Sequence, residues 1–324
     1  MKNSTKLSII AMALGAAFAL PAAAQGYPSK TVRLILPYPP GGGSDTIARP
    51  VTKKLSEYLG QQVLVDNRGG AGGNIGMEAA ARSAPDGHTI VLGLTAQLAV
   101  NPSLFKSISY DPVRDFDPIT MLANGAYVLV AHPSLPVRSV KDLIAVARAR
   151  PGEVFYASSG NGSGAHLATE LLSNMTGIKL VHVPYKGGGP ALVDTIDGQT
   201  QILFATPIAS SGHIKAGRVR PLAVSSAKRV QSFPDVPTVA QAGLPGYEAG
   251  VWYGILAPKG TPREIVTRLN QDIRKVLNDS GIRAFLTKAG IEPDGGTPEA
   301  LGRYMQSELA KWAKVIKAGN IRID

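Results

Sequence analysis

A glycine-rich loop follows the first apolar run of the chain and leads into a segment with helical spacing. It reads Pro37-Tyr38-Pro39-Pro40-Gly41-Gly42-Gly43-Ser44-Asp45. Glycines permit positive φ angles, as we expect at Gly42, and a helix start offers unpaired amides and a positive dipole end. The loop is therefore suited to bind an anion. The alternative is an ordinary turn in which Ser44 or Asp45 caps the helix and Asp45 pairs with Arg49.

A second loop, in the other half of the chain, has the same construction. Ser158 and Ser159 lead through Gly160-Asn161-Gly162-Ser163-Gly164-Ala165 towards a helix near His166. The loop matches the dinucleotide pattern G-x-G-x-x-A, which requires an acidic residue about 20 positions later for the ribose. The next predicted strand, residues 179–183, contains no acidic residue. We therefore expect no NAD or other cofactor, and a second anion site built from amides and hydroxyls.

The familiar motifs of catalysis are missing from the sequence. Ser163 has Asn161 and Ala165 where the nucleophile motif G-x-S-x-G needs glycines, and residues 186–189 lack the order of a P-loop. There is no cysteine, and the five histidines show neither H-x-x-x-H nor H-E-x-x-H spacing. We expect no enzymatic activity and no metal site, and we place only His166 near a binding site.

Short apolar runs alternate with helical spacing, which favours an α/β architecture with parallel strands. Strands are predicted at 31–36, 63–65, 89–94, 127–131, 154–157, 179–183, 201–204 and 221–224. Helices are predicted at 46–59, 140–148, 166–175, 191–196 and 212–216, with two amphipathic helices further on, one from Pro262 and one at 298–318. These elements form two successive α/β halves. The proline- and aspartate-rich stretches 110–119 and 232–246 are the predicted crossings between the halves.

The N-terminus has the three parts of a secretory signal peptide. Residues 1–6 are basic, residues 7–20 are mostly apolar, and Ala22-Ala23-Ala24 is an A-x-A cleavage site. The apolar stretch is too short to span a bilayer. We therefore expect cleavage after Ala24, export to the periplasm and a mature chain that begins at Gln25.

The chain is basic, but the pattern of its charge does not indicate nucleic acid. Its 324 residues, 44% of them apolar and 18% charged, provide enough apolar side chains for two packed domains. The net charge of +11 becomes +9 once the two lysines of residues 1–24 are removed. The remaining basic residues are scattered and are not interleaved with aromatic residues, so we expect no nucleic-acid partner.

Five segments carry a resemblance to a known family. They read PYPPGGGSD (37–45), VDNRGGAGGNIG (65–76), PDGHT (85–89), VPYKGGGPA (183–191) and PDVPTV (234–239), followed by WYG (252–254) and APKGTP (257–262). In this order they resemble the Bug family, the periplasmic substrate-binding proteins of tripartite tricarboxylate transporters. The resemblance covers essentially the whole mature chain.

The resemblance implies a two-lobed α/β periplasmic binding protein. Each lobe would be a mixed, mostly parallel sheet flanked by helices, with a ligand cleft between the lobes. Lobe 1 would comprise residues 25–125 and 251–324 and lobe 2 residues 126–250, with hinges near Gly125 and Gly250. The two glycine loops would hold the ligand from opposite lobes, the first partly through ordered water. The predicted ligand-binding residues are Tyr38, Pro40, Gly41, Gly42, Gly43, Ser44, Asp45, Ser158, Ser159, Asn161, Gly162, Ser163, Gly164, His166, Tyr185, Phe204, Ala205 and Thr206.

The ligand implied by the resemblance is a small organic carboxylate, which leaves a di- or tricarboxylate and an aromatic acid as alternatives. Neither glycine loop contains an arginine, so we expect recognition by amides and hydroxyls. Many family members have an acidic residue next to the phenylalanine at the end of the strand predicted at 201–204. This chain has Phe204-Ala205-Thr206 there instead. The lack of an acidic residue argues against an amino-acid ligand. Tyr38, Tyr185 and Phe204 could flank an apolar ligand body or serve only in packing.

The expected role is that of a monomer that closes on its ligand and delivers it to a two-subunit membrane transporter. An alternative partner is a sensor kinase that recognises the ligand-bound form. An exported enzyme that acts on organic acids is a third possibility, and turnover of a bound acid would distinguish it.

Overall fold

The computed structural model describes residues 26–318, so the predicted signal peptide of residues 1–24 lies outside the described residues. The strands, numbered in chain order, are β1 (Val32–Leu36), β2 (Val63–Asn67), β3 (Thr89–Leu94), β4 (Phe116–Ala126), β5 (Val128–Ala131), β6 (Phe155–Ser158), β7 (Val181–Pro184), β8 (Ile202–Ala205), β9 (Arg220–Val224), β10 (Gly250–Pro258) and β11 (Ile291–Pro293). They form a six-stranded sheet of order β11-β4-β10-β3-β1-β2 and a five-stranded sheet of order β7-β6-β8-β5-β9. Each sheet with its flanking helices is one lobe.

Helices connect most of the strands. They are α1 (Gly43–Leu59), α2 (Asn74–Ala81), α3 (Asn101–Leu104), α4 (Val140–Ala149), α5 (Gly164–Thr176), α6 (Gly188–Ile196), α7 (Pro207–Lys215), α8 (Arg263–Asn278), α9 (Ser280–Lys288) and α10 (Pro298–Ala318). A 3-10 turn at Ala71–Gly73 precedes α2, and a π-helical turn at Ala96–Val100 precedes α3. Between residues 26 and 318, no helix is both long enough and apolar enough to cross a bilayer.

Both sheets are mixed, as the resemblance implied, but neither is mostly parallel, because the first has two parallel and three antiparallel ladders and the second has two of each. The parallel ladders are β1–β2, β1–β3, β6–β7 and β6–β8. Every antiparallel ladder includes β4, β5 or β10, the strands next to the places where the chain passes between the sheets. The parallel strands β1, β2 and β3 of the first sheet and β6, β7 and β8 of the second therefore lie on one side of the strands next to the crossings. The loops that follow these parallel strands face the other lobe.

The core of the first lobe lies on both faces of its sheet. Leu34 and Leu36 pack in the larger apolar cluster, whereas Ile35, between them, packs in a second cluster. Successive residues of a strand point to opposite faces, so β1, whose buried apolar residues lie on both faces, must be covered on both sides. Residues of α1 and α8 contribute to the larger cluster, and residues of α2 and α10 contribute to the second. This packing fixes β1, and with it the glycine loop that follows.

The eight predicted strands are present within two residues of their predicted ends, but β4, β10 and β11 were not predicted. The stretch 110–119 is not a crossing between lobes, because β4 begins inside it at Phe116 and belongs to the first sheet. Asp117 accepts hydrogen bonds from Lys259 Nζ at 2.7 Å and from the Gly260 amide at 2.8 Å, which ties the start of β4 to the end of β10. The aspartates in this stretch therefore anchor a strand.

The chain passes from the first sheet to the second between Ala126 and Val128, and it returns at Gly250 after the segment 225–249. Gly125 is paired with Val251 and Gly250 with Ala126, so both glycines are held inside strands. The predicted stretch 232–246 lies within the returning segment.

Candidate functional site

A cleft, here called the inner cleft, is lined by residues of both lobes. Four helices begin at its wall, α1 from the first lobe and α5, α6 and α7 from the second. Their N-cap residues all line the cleft, and they are Gly42, Ser163, Gly187 and Thr206. The first N–H groups of a helix have no partner within it and lie at the positive end of its dipole. The convergence of four such ends favours an anionic ligand.

The first glycine loop forms one side of the cleft and is held by Asp45. This carboxylate accepts hydrogen bonds from Gly41 N at 3.1 Å, Arg49 Nε at 2.8 Å and Asn67 Nδ2 at 3.0 Å. Burial opposes ionisation of Asp45, but the hydrogen bonds from these groups outweigh it and lower its pKa. Asp45 does not line the cleft, so its role is to fix the loop from behind.

The glycines of this loop differ in their geometry. Gly41 has a φ of 84°, which favours glycine, whereas Gly42 has a φ of −81°. The expectation of a positive φ at Gly42 is therefore wrong, because the left-handed residue is its neighbour. No protein atom lies within 4 Å of the position where a Cβ of Gly42 would be, since that position is open.

The second glycine loop is held from behind by two stacked histidines. His166 and His182 lie with ring centroids 4.1 Å apart and an angle of 5° between their planes. The Gly162 amide donates to His166 Nδ1 at 3.1 Å, and Ser158 Oγ lies 2.6 Å from His182 Nε2. Burial, and then the neighbouring His182, lower the pKa of His166 to about 3, and burial lowers that of His182 to about 4. Both rings are therefore neutral near pH 7 and act as supports of the loop.

A third glycine loop, Gly187-Gly188-Gly189, completes the wall at the start of α6. Its residues belong to one of the segments that resemble the Bug family, but they were not among the ligand-binding residues predicted from the sequence. Its position between a β-strand and a helix, the same as for the first two loops, is the signal that could have identified it.

The two lobes touch across the cleft. A methyl group at Gly43 would overlap Thr206 Oγ1 of the second lobe, and one at Gly187 would press on the Pro39 ring of the first. Gly72 likewise lies against the Asn161 carbonyl. The lobes can approach this closely because glycine occupies one side of each contact.

The structure places most of the predicted ligand-binding residues in the cleft. Those that line it are Tyr38, Pro40, Gly42, Gly43, Ser44, Ser159, Ser163, Gly164, Phe204, Ala205 and Thr206. Asn161 and Tyr185 line an adjoining space, here called the outer chamber, which Tyr38 and Ser159 also line. The predicted residues that line neither space are Gly41, Asp45, Ser158, Gly162 and His166. The last five lie in or behind the two loops.

Several lining residues were not predicted from the sequence. They are Pro39, Leu94, Tyr127, Gly187, Gly188, Gly189, Pro190, Leu203, Ala209 and Tyr253. Tyr127 and Tyr253 belong to the segments that cross between the lobes, and no local motif marks them.

Among residues 26–318, no charged side chain lines the inner cleft, and Lys186 is the one that lines the outer chamber. Attraction for an anion inside the cleft would therefore come from amides, hydroxyls and helix ends. Within residues 26–318, no group of three or more His, Asp or Glu residues is arranged to hold a metal ion.

Several solved structures share this architecture. Rpa4515 of R. palustris, solved with adipate, has a TM-score of 0.89 and 41% identity, over 91% of this chain and 99% of that one. The periplasmic binding protein BugD has a TM-score of 0.88 and 32% identity, over 91% and 99%. MatC from Rhodopseudomonas palustris, solved with bound malate, has a TM-score of 0.86 and 31% identity, over 90% and 100%.

A family match agrees with these structures. Residues 47–321 match the family described as "Tripartite tricarboxylate transporter family receptor". The match covers most of the chain, and the similarity to BugD covers nine-tenths of it. The chain therefore belongs to this family, as a periplasmic solute-binding protein of the Bug type.

Proposed function

We propose that this protein binds a small organic carboxylate, with a di- or tricarboxylate favoured over an aromatic acid, in the inner cleft between its lobes. The observation that carries the proposal is the convergence of four helix N-termini on a cleft without charged side chains. A carboxylate accepts hydrogen bonds from such amides and hydroxyls, and each bond is strengthened by the ligand's charge. The similar structures solved with adipate and malate support this ligand class.

A thermal-shift screen of the chain from residue 25 tests the proposal. The panel contains dicarboxylates, tricarboxylates and aromatic acids, with the full amide of each acid, in which every carboxyl group is converted to an amide, as an uncharged control. A ligand present at 100 times its Kd stabilises the folded state by about 2.7 kcal/mol. We expect at least one acid to raise the Tm and its amide to have no effect. If no acid raises the Tm, or if the amides act equally well, the proposal is wrong.

We further propose that the protein works in the periplasm and delivers its ligand to a two-subunit membrane transporter. The family match supports this partner. Co-purification from membranes, with and without the acid found in the screen, tests this partner. Capture of a sensor kinase instead of a transporter would favour a role in sensing.

The intact mass of the exported protein tests cleavage after Ala24. A soluble periplasmic form that retains residues 1–24 would contradict that cleavage.

The division into lobes at residues 125/126 and 250/251 is part of the same proposal. The change of sheet at Ala126–Val128 and at Gly250 supports these boundaries. Limited proteolysis tests them, because cuts confined to these two places would release the second lobe as one fragment.

A further inference from the structure

Tyr253 is fully buried, yet its hydroxyl has no hydrogen-bond partner among the described residues. The residue lies on β10 and its side chain lines the inner cleft. A buried hydroxyl without a partner destabilises a folded protein, so its presence requires an explanation. Among the buried side-chain N and O atoms that lack a partner within residues 26–318, only Tyr253 Oη belongs to a residue that lines this cleft.

Two other phenols line the same cleft. Tyr127 lies between β4 and β5, and Tyr38 lies in the first glycine loop. Tyr38 Oη accepts a hydrogen bond from Gln97 Nε2 at 3.0 Å, a bond that does not use the phenolic proton. Burial, and then the neighbouring Tyr253 and Tyr38, raise the pKa of Tyr127 well above its usual value. The phenols are therefore protonated at neutral pH and able to donate hydrogen bonds.

The three phenols adjoin the helix ends that form the wall of the cleft. Tyr127 Oη lies so close to Gly164, the first residue of α5, that a methyl group at Gly164 would overlap it. Hydroxyl donors and amide donors are thus present in one enclosed space. A ligand that fills this space meets more donors than one carboxylate requires.

We propose that Tyr253, together with Tyr127 and Tyr38, forms a polar subsite that takes a second carboxylate of the ligand, so that the cleft selects dicarboxylates over monocarboxylates. The inference rests on the proposed function and narrows its ligand class. Hydrogen bonds from a hydroxyl to a carboxylate are short and strong. A hydrocarbon chain or a ring edge at the same place would leave Tyr253 Oη buried without a partner, and sites of this kind reject ligands that lack the polar group.

The positions of the phenols give the subsite a second role. Tyr127 and Tyr253 lie on the two segments by which the chain passes between the lobes, Tyr127 on the outgoing segment and Tyr253 on the returning strand. A carboxylate bound by both would therefore contact both crossing segments. The distal group of the ligand would then favour the closed arrangement directly.

Two variants test the subsite. Tyr253→Phe removes the unpartnered hydroxyl, and Tyr247→Phe is the matched control. Tyr247 is also buried, but its hydroxyl donates to the Ala168 carbonyl at 2.8 Å. Calorimetry measures binding of straight-chain dicarboxylates of four to seven carbons and of the monocarboxylates of equal length. The melting temperature of each ligand-free variant is measured alongside.

We expect Tyr253→Phe to weaken the best dicarboxylate about tenfold or more and to leave the matching monocarboxylate almost unchanged. Its ligand-free melting temperature should stay the same or rise, because an unsatisfied polar group is removed. Tyr247→Phe should lower the melting temperature without changing the preference for dicarboxylates.

Equal weakening of both kinds of acid by Tyr253→Phe, or unchanged dicarboxylate affinity, would overturn the inference. A wild-type protein that binds monocarboxylates or benzoate better than every dicarboxylate would overturn it as well, and of the proposed function only the binding of an organic carboxylate in the cleft would stand. If the wild-type protein binds no acid at all, the proposed function itself fails, and the subsite fails with it.

Discussion

Tyr127 and Ser225 exchange two hydrogen bonds at the point where the chain leaves the first sheet. Ser225 N donates to Tyr127 O at 2.9 Å, and Tyr127 N donates to Ser225 Oγ at 2.8 Å. The Ser225 hydroxyl donates to the Ala249 carbonyl at 2.5 Å, and Ala249 N donates to Ser225 O at 2.9 Å. One buried serine is thus hydrogen-bonded both to the segment that leaves the first sheet and to the segment that returns to it. We therefore expect Ser225 to hold the two segments of the predicted hinge together.

Replacement of this serine should loosen the hinge. Ser225→Ala leaves the buried amide of Tyr127 and the buried carbonyl of Ala249 without their partner, and each unsatisfied group costs about 1–3 kcal/mol. We expect a loss of about 2 kcal/mol or more in the free energy of unfolding, measured by urea denaturation. Ser226→Ala is the control, because the Ser226 hydroxyl bonds only to the exposed Lys228 carbonyl. Equal stability of the two variants would show that the hydrogen bonds of the Ser225 side chain do not hold the two segments together.

Gly43→Ala should prevent the lobes from closing. The added methyl group would overlap Thr206 Oγ1 across the cleft, whereas an open form has no such contact. We expect ligand affinity to fall at least tenfold, equivalent to about 1.4 kcal/mol, with little change in the stability of the ligand-free protein. Gly212→Ala, at an exposed position in α7 with no atom within 4 Å of its Cβ site, is the control and should bind normally. Normal affinity of Gly43→Ala would mean that the contact with Thr206 is not needed for binding.

Gly42→Val should weaken binding for a different reason. A Cβ at this position has no protein atom within 4 Å, so we expect the lobes still to close, but the side chain would extend into the space that the ligand would fill. We expect a loss of at least about tenfold in affinity by calorimetry with an unchanged melting temperature of the ligand-free protein. Unchanged affinity would mean that the first glycine loop is an ordinary turn and that the ligand lies elsewhere in the cleft.

The sequence located the two glycine loops at the starts of helices because their signal is local. Three glycines after an apolar strand and before a helix indicate unpaired amides wherever the rest of the chain lies. Tyr253 carries no such signal, since it is one aromatic residue in an apolar strand and only the pairing of β10 with β3 and β4 brings it to the cleft. The strand β4 was missed because its prolines and aspartates are typical of turns, whereas Asp117 is satisfied by Lys259, which is distant in sequence.

Asp45 and His166 illustrate a second limit of prediction from sequence. Both were predicted to bind the ligand, but neither lines the inner cleft. Each instead accepts a hydrogen bond from a loop amide, Asp45 from Gly41 N and His166 from Gly162 N. Residue type and spacing locate such a side chain near a loop. They do not tell whether it faces the ligand or the protein interior, because that depends on the packing of α1 and α5.

Acid should destabilise the protein through the stacked histidines. An unfolded histidine has a pKa of about 6.5, whereas the pKa values of His166 and His182 are lowered to about 3 and about 4. Between these values the unfolded chain binds more protons than the folded one, so stability falls as the pH falls from about 6.5 towards 4. We expect each histidine to cost about 2 kcal/mol at pH 5 relative to pH 7.5.

Ligand affinity of the folded protein should change little between pH 6.5 and 5, because His166, whose pKa is lowered to about 3, stays neutral there and still accepts the hydrogen bond from Gly162 N. Urea denaturation at several pH values measures the stability, and the variant His166→Asn/His182→Asn tests the cause. Its stability at pH 7.5 will be lower, but the loss between pH 6.5 and 5 should be much smaller. A double variant with the pH dependence of the wild type would assign that dependence to other groups.

Ligand binding should make the protein more compact in solution. The first glycine loop belongs to one lobe and the second and third loops to the other, so a ligand that contacts all of them gains its full set of hydrogen bonds only when the lobes meet. Small-angle scattering should show a smaller radius of gyration with the best acid than without it. Gly43→Ala should stay expanded at the same acid concentration, because the methyl group blocks the approach of Thr206. If a tightly bound acid causes no compaction of the wild-type protein, one lobe alone holds it, and the loops of the other lobe are not part of the site.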